Sequence, residues 1–226
     1  MKPTVIQFTK DEIEINHKIF MDRMALYKNY GIDHEELRKK IINELPENTK
    51  SVLEIGTGKG YLTTILAQNF DRIISVDNDR NENRIAMLNA AYNNLSEKIE
   101  FITADAGSLN YPDRSFDAVV SSFTFHHLTL PFKVIREMTR LAVNTIVISD
   151  FSTKGFETIR LIHNSEGKNH EIKPGEFDIV GIFLKELNFN VKVIKDEWQI
   201  IYSAQRKKAG EIAYTPEITS TLNRWR

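Results

Sequence analysis

Short apolar runs alternate with longer stretches of helical period through the middle of the chain. Residues 51–55, 72–76, 99–103, 116–121 and 145–149 are short, apolar and strand-like. Between them lie helical patterns at 61–70, with Leu62, Ile65 and Leu66 on one face, at 80–94, and at 130–142, with Ile135, Met138 and Leu141 at spacing three. The first fifth of the chain is different. Residues 10–30 predict a helix of mixed pattern carrying Ile13, Ile15, Ile19, Phe20 and Met24. A second helix follows: Asp33 and Glu36 make a capping-box-like start, Leu37, Ile41 and Leu45 fall one turn apart, and Pro46 stops it.

Alternating strands and helices predict an α/β fold, doubly wound around a mostly parallel sheet, with residues 1–46 as an N-terminal helical cap. The last third departs from that order. Residues 154–164 and 175–187 read as helices, separated by a polar loop at 165–174. Residues 190–194 and 198–204 are strand candidates joined by a short connection at 195–197, which predicts an antiparallel hairpin. Residues 1–205 are read as one domain and 206–226 as a polar tail.

Composition narrows the classes. The 226 residues suit one domain, and the absence of cysteine excludes disulfides, thiolate chemistry and Cys-ligated zinc. Lys+Arg is 30 against Asp+Glu 31, so no global field favours nucleic acid or an anionic membrane. No signal-like apolar region opens the sequence and no window approaches a membrane span. The expectation is a cytoplasmic protein with no membrane partner.

Candidate chemistry begins at VLEIGTGKG, residues 52–60. A strand pattern runs into Gly56, Gly58 and Gly60, at the joint where doubly wound sheets bind ligands. A dinucleotide fingerprint requires G-x-G-x-x-G, and Tyr61 stands where its third glycine belongs. Glu54, two residues before Gly56, would repel a pyrophosphate but suits a cationic group. Glycines after a strand also serve purely steric turns, so the loop alone does not choose. Asp77, 21 residues after Gly56, ends the second strand, and Asp105 follows the third. An acidic residue at the first position can accept from ribose hydroxyls. One at the second can accept from an adenine amino group.

VLEIGTGKG, VDND, ITADAGSL and YPDRSFDAVVSSFTFHHL together resemble the ordered motifs of class I S-adenosylmethionine-dependent methyltransferases. The last stretch is similar to their small-molecule branch, which includes quinone-biosynthesis enzymes. The resemblance covers about residues 51–150 and implies a Rossmann-like, seven-stranded sheet ending in an antiparallel hairpin. It implies S-adenosylmethionine as cofactor. It places Glu54, Gly56, Thr57, Gly58 and Gly60 around the methionine moiety, Asp77 with its neighbour Asn78 at the ribose, Asp105 and Ala106 at the adenine edge, and Ser121 and Ser122 on the methyl side. The position after Asp77 is often apolar in this family; Asn78 stands there instead, and Leu109 is the substitute for packing on adenine. The glycine-rich turn usual before the fifth strand is replaced by LAVNT (141–145), read as a shortened connection.

Methyl transfer from a sulfonium is an in-line displacement, and it needs a general base only if the acceptor arrives protonated. His126 and His127, after the fourth strand, are the base candidates; either could instead cap a helix or fill a pocket wall. No metal site is expected, since there is no cysteine and adjacent residues on a strand point apart. Phe123 and Phe125 wall an acceptor pocket or join the core, with one expected in the core. His163, His170 and the 165–174 loop stand where the family places substrate-covering insertions. Tyr27, Tyr30 and Tyr61 are placed near the cofactor mouth, with residues 20–30 as a gate. The expected partner is a small-molecule acceptor. RNA methylation is the main rival: GTGKGYLTTILA is similar to rRNA adenine dimethyltransferases. But SSFTF (121–125) lacks the Asn/Asp-Pro-Pro-Tyr-like motif of base-flipping enzymes, and the cluster Arg206, Lys207, Lys208 reads as a solvated tail. Protein isoaspartyl repair, a non-catalytic S-adenosylmethionine-binding module and a nicotinamide enzyme also compete for the same glycine loop.

Overall fold

The computed structural model describes residues 7–167 and 177–208. Their core is a 7-stranded sheet in the order β3-β2-β1-β4-β5-β7-β6. The strands are β1 (Ser51–Ile55), β2 (Arg72–Asp77), β3 (Ile99–Thr103), β4 (Phe116–Ser122), β5 (Ala142–Phe151), β6 (Phe189–Lys195) and β7 (Gln199–Arg206). The first five pair in parallel, and β7 joins β5 and β6 antiparallel, as the short 195–197 connection requires. The chain reverses direction of winding between β1 and β4, which is the switch point where such sheets open a crevice.

Helices α3 (Tyr61–Asn69), α4 (Arg80–Tyr92) and α5 (Pro131–Leu141) are the crossovers, and α6 (Thr153–Ser165) and α7 (Val180–Glu186) follow β5. Side chains on β1 alternate between two cores. Leu53 and Ile55 pack on one face with α5 and α7; Val52 packs on the other with Leu62, Leu66 and Ala67 of α3. Asp79 caps α4 and Pro131 opens α5, so both crossovers start on residues suited to their first turn.

The cap consists of α1 (Lys10–Asn29) and α2 (His34–Ile42). Thr9 and Glu12 form a full capping box on α1. On α2, Asp33 accepts from the backbone of Glu35 and Glu36, but the helix ends at Ile42, so Leu45 packs from the turn beyond it. The cap has its own small core, in which Tyr27, Ile32 and Leu37 meet Phe151, Phe156 and Ile159. That core ties α1 and α2 to the carboxyl end of β5.

Two expectations about boundaries are corrected. No connection separates α5 from β5: the helix ends at Leu141 and Ala142 already pairs with Phe116. The last strand runs through Arg206, whose guanidinium bonds the carbonyls of Thr139, Ala142 and Val143 and lies over Phe189. Arg206 therefore locks the sheet to the end of α5 and does not belong to a solvated tail. The rest of the expected tail from 209 on, His170 and most of the 165–174 loop lie outside the described residues. No helix among those described is long and apolar enough to cross a membrane.

Candidate active site

A cleft of about 950 Å³ opens at the carboxyl ends of β1, β2 and β4, under the cap. Its floor is the glycine loop. Gly56 has φ +84°, and a Cβ there would stand 2.1 Å from Thr124 Oγ1. Gly56 thus lets the loop after β1 pass against the turn after β4. Gly58 has φ +48°, but a Cβ there would meet nothing within 4 Å. Its bare backbone faces open space, which leaves room for a ligand on the cleft side.

Acidic groups brace this floor. Asp77 accepts from Gly58 N–H at 2.7 Å and from Asp79 N–H at 3.0 Å, so one carboxylate holds both the loop and the start of α4. Glu54 is buried, and its Oε2 accepts from Thr63 Oγ1 at 2.5 Å and Ser75 Oγ at 2.7 Å. Burial pushes the Glu54 carboxyl up to about 7, against the opposing pull of those two hydroxyls and of Arg38. Asp105 is exposed; its carboxyl sits below the usual range because Gly107 N–H and then Lys133 favour the anion. Lys59 and Glu82 pair across the rim at 2.9 Å.

The other end is made by the turn after β4, the end of β5 and the cap. Phe123 has φ +53°, a strained value for an aromatic residue, and its ring stacks 4.2 Å from Phe151. Phe125 points the opposite way into the main core, so one of the two phenylalanines walls the cleft and the other does not. His126 and His127 lie on a single 3-10 turn, Phe125–His127, with ring centroids 4.0 Å apart. The expectation that adjacent residues point apart fails because they are not on a strand. No group of three or more His, Asp or Glu suited to a metal occurs among the described residues.

His126 Nδ1 lies 2.8 and 3.0 Å from the carboxylate oxygens of Asp150, which is fully buried at the end of β5. That carboxylate also accepts the backbone N–H of His126 and of Phe151. An acceptor so placed requires Nδ1 to donate, so the neutral ring carries its lone pair on Nε2. The sequence pattern holds a signal for Asp150: a strand ending in Asp at the same sheet edge as Asp77.

Of the sequence-predicted residues, Glu54, Gly56, Thr57, Gly58, Asp77, Asn78, Asp105, Ala106, His126 and His127 line the cleft, as do Ser122, Tyr27, Tyr61 and His163. Ser121 does not: it is buried within β4, and the alternation of the strand gives the cleft Ser122 instead. Gly60 stands behind the wall, where it caps α3 against Ala86. Leu109 is in the core, and Leu128 and Leu130 are the leucines on the cleft beside Leu62. Tyr30 is off the wall. Three residues of the cap line the cleft without any motif to announce them: Arg23, His34 and Arg38.

Residues 53–144 match the model of a methyltransferase domain family. The chain is 31% identical over 114 residues to a demethylmenaquinone methyltransferase of Thermotoga maritima, covering 50% of this chain and 48% of that protein. It is 28% identical over 116 residues to an rRNA adenine N-6-methyltransferase of Clostridium perfringens, covering 51% and 46%. The chain thus spans about half the length of these two relatives. Among solved structures, a SAM-dependent methyltransferase from Aquifex aeolicus superposes with TM-score 0.59 at 19% identity, covering 88% of this chain and 99% of that one. At that identity the likeness speaks for the fold. The match to the methyltransferase domain family over residues 53–144 takes in the glycine loop, Asp77, Asp105 and the histidine turn in one frame.

Proposed function

We propose that this protein is an S-adenosylmethionine-dependent methyltransferase acting on a small-molecule acceptor. The observation that carries the proposal is that one cleft joins the glycine loop to the His126–Asp150 pair. Its volume of about 950 Å³ lies near the upper end for small-molecule sites, enough for a cofactor with a compact acceptor beside it. The residues fit the cofactor chemically. Gly58 leaves backbone room, Glu54 offers a buried carboxylate to a cationic amine, and Asp77 and Asp105 supply acceptors for hydroxyls and an amine edge.

When bound, S-adenosylmethionine supplies an already activated methyl group. The protein's own residues bind, orient and deprotonate. Asp77 fixes the loop and the ribose at once. Asp150 holds His126 as the tautomer with its lone pair on Nε2, so His126 serves as general base for a protonated acceptor. Phe123, Phe151 and the cap exclude water from the transfer path. RNA as acceptor is the second reading, favoured by the 28% identity to the rRNA enzyme. The turn after β4 weighs against it, since SSFTF carries no polar-Pro-Pro-aromatic motif to hold a flipped base.

The test is calorimetric titration with S-adenosylhomocysteine, with NAD as control and Asp77→Ala beside wild type. The expected result is binding of S-adenosylhomocysteine alone, weakened about tenfold to a hundredfold by loss of the charged acceptor. Binding of NAD in its place would overturn the cofactor. A radiolabelled-methyl screen of cell extract then separates acceptors: signal confined to the RNA fraction would overturn the small-molecule assignment.

A further inference from the structure

The cap places a buried cation in the cleft that no carboxylate meets in an ion pair; Glu54 acts on it only at longer range. Arg38 is 7% exposed, and its Nη1 donates to His34 Nδ1 at 2.6 Å and to the His34 carbonyl at 3.1 Å. No carboxylate forms an ion pair with it among the described residues, and its Nε has no hydrogen-bond partner. Because Arg38 donates into His34 Nδ1, the proton of that imidazole sits on Nε2, which is also buried and without a partner. Burial and the neighbouring Arg38 hold His34 well below the usual histidine range, so it is neutral. Arg38, though burial lowers it to about 10, is charged at neutral pH. Next to them, the Tyr27 hydroxyl accepts from Arg23 and keeps its own proton to donate.

Tyr27, His34 and Arg38 each keep a donor for a ligand, and the charge of Arg38 is in no ion pair, since Arg23 is paired with Glu166 and Glu54 reaches Arg38 only through space. Buried donors without partners and a buried unpaired cation are both costly, and a protein keeps them where a ligand completes them. The Arg38 guanidinium lies over the rings of Tyr61 and Phe123, at 5.3 and 5.1 Å from their centroids, so its faces are covered and its edge remains. A planar fork carrying one charge outside any ion pair matches a planar monoanion better than a phosphate.

We infer that Arg38, with His34 and Tyr27 beside it, forms a carboxylate-binding subsite at the cap end of the cleft. This deepens the methyltransferase assignment and rests on it in one respect: the carboxylate belongs either to the methionine half of the cofactor or to the acceptor. Under the first source, Glu54 and Arg38 together would read the two charges of an amino acid. Under the second, the acceptor is a carboxylic acid.

Binding to the full chain separates these. S-adenosylhomocysteine and its decarboxylated analogue are titrated into wild type and Arg38→Met, and benzoate is titrated into each protein saturated with S-adenosylhomocysteine. If the carboxylate is the cofactor's, wild type prefers S-adenosylhomocysteine to the analogue by about tenfold or more, and Arg38→Met reduces that preference to within about twofold. If it is the acceptor's, wild type shows little preference, and benzoate binds wild type but not Arg38→Met. Absence of both Arg38-dependent effects overturns the subsite. Failure of both adenosyl compounds to bind wild type would instead sink the cofactor assignment, and the benzoate arm run without them would still judge Arg38. Thermal melting of the ligand-free proteins checks folding, and Arg38→Met should melt no lower than wild type because an unpaired buried cation is gone. Should it fail to fold, Arg38→Lys keeps the charge without the fork and should show a partial loss in the same arms.

Discussion

The two ends of the cleft are built on different principles. At the glycine-loop end, the determinants are backbone conformation and carboxylates within a few residues of a strand end: Gly56, Gly58, Asp77 and Asp105. At the cap end, they are side chains brought from far apart in the chain, with Arg38 from α2 over Phe123 from the turn after β4 and His126 held by Asp150 from β5. The first construction tolerates no added side chain at Gly56 and is held together by backbone hydrogen bonds to Asp77 and by packing against Thr124. The second tolerates backbone change and depends on particular functional groups. Mutations at the two ends should therefore fail in different ways: binding and fold together at one, turnover or selectivity with the fold intact at the other.

The largest effect should follow from Gly56→Val. A Cβ at Gly56 meets Thr124 Oγ1, Cγ2 and Cβ, all closer than 2.8 Å, and a β-branched residue strongly disfavours φ +84°. Clash and strain should together cost about 3 kcal/mol or more, read by urea unfolding, and S-adenosylhomocysteine binding should be lost. A second substitution, Thr124→Ala, should recover part of the stability by opening the space but none of the conformational cost. Full recovery would mean that the loop is held by packing alone and that the contrast between the two ends is false.

His126→Gln should act at the other end. Cofactor affinity and thermal stability should change little, since Gln keeps a side-chain N–H donor for the buried Asp150 carboxylate. Turnover on an acceptor found by the methyl screen should fall by about a hundredfold to ten-thousandfold, the usual contribution of a positioned base. Asp150→Asn should lower turnover as well and shift its pH profile, since the amide no longer fixes the imidazole tautomer. Unchanged turnover in His126→Gln would mean that the acceptor arrives already deprotonated and that the dyad only shapes the wall.

Why one end is readable from the sequence and the other is not follows from the same contrast. The glycine loop, Asp77 and Asp105 are tied to strand ends, and strand ends follow from hydrophobic period. Their relative positions are therefore set by topology once the sheet order is known. The seven strands and the closing hairpin are legible for that reason. Of the pair Ser121 and Ser122, only Ser122 lines the cleft, because adjacent residues on a strand point to opposite faces. Arg206 looks like a solvated cation because nothing local distinguishes it from Lys207 and Lys208; only the sheet brings it to the carbonyls that end α5. Arg38 is hidden similarly beside Lys39 and Lys40, on a helix whose buried face is known only after the cap has docked. The geometry of the His126–His127 turn escapes a strand-based reading because the strand ends at Ser122, before the histidines, and Phe123 turns the chain.

Glu54 lies between the two ends and offers the subtlest test. It belongs to the β1 motif but is within electrostatic reach of Arg38 from the cap. Its folded-state value, raised to about 7 from an ordinary value of 4.5, means that the folded protein binds a proton which the unfolded chain has released over that interval. The stability this contributes is full below pH 4.5 and is lost as pH rises through about 7. Glu54→Gln removes a titrating group, so the difference in stability between wild type and mutant should drift across that window and flatten above it. Ligand binding has the opposite sign. A cationic amine beside Glu54 favours its anion, so affinity for S-adenosylhomocysteine should rise from about pH 5 to 7 in wild type, by at most about tenfold per pH unit, and more weakly in Glu54→Gln. The Arg38→Met variant tests the link between the ends. Loss of that cation should raise the Glu54 value further and move the affinity curve to higher pH. If the curve stays in place, Glu54 and Arg38 act independently, and the cleft is two separate sites that share a wall.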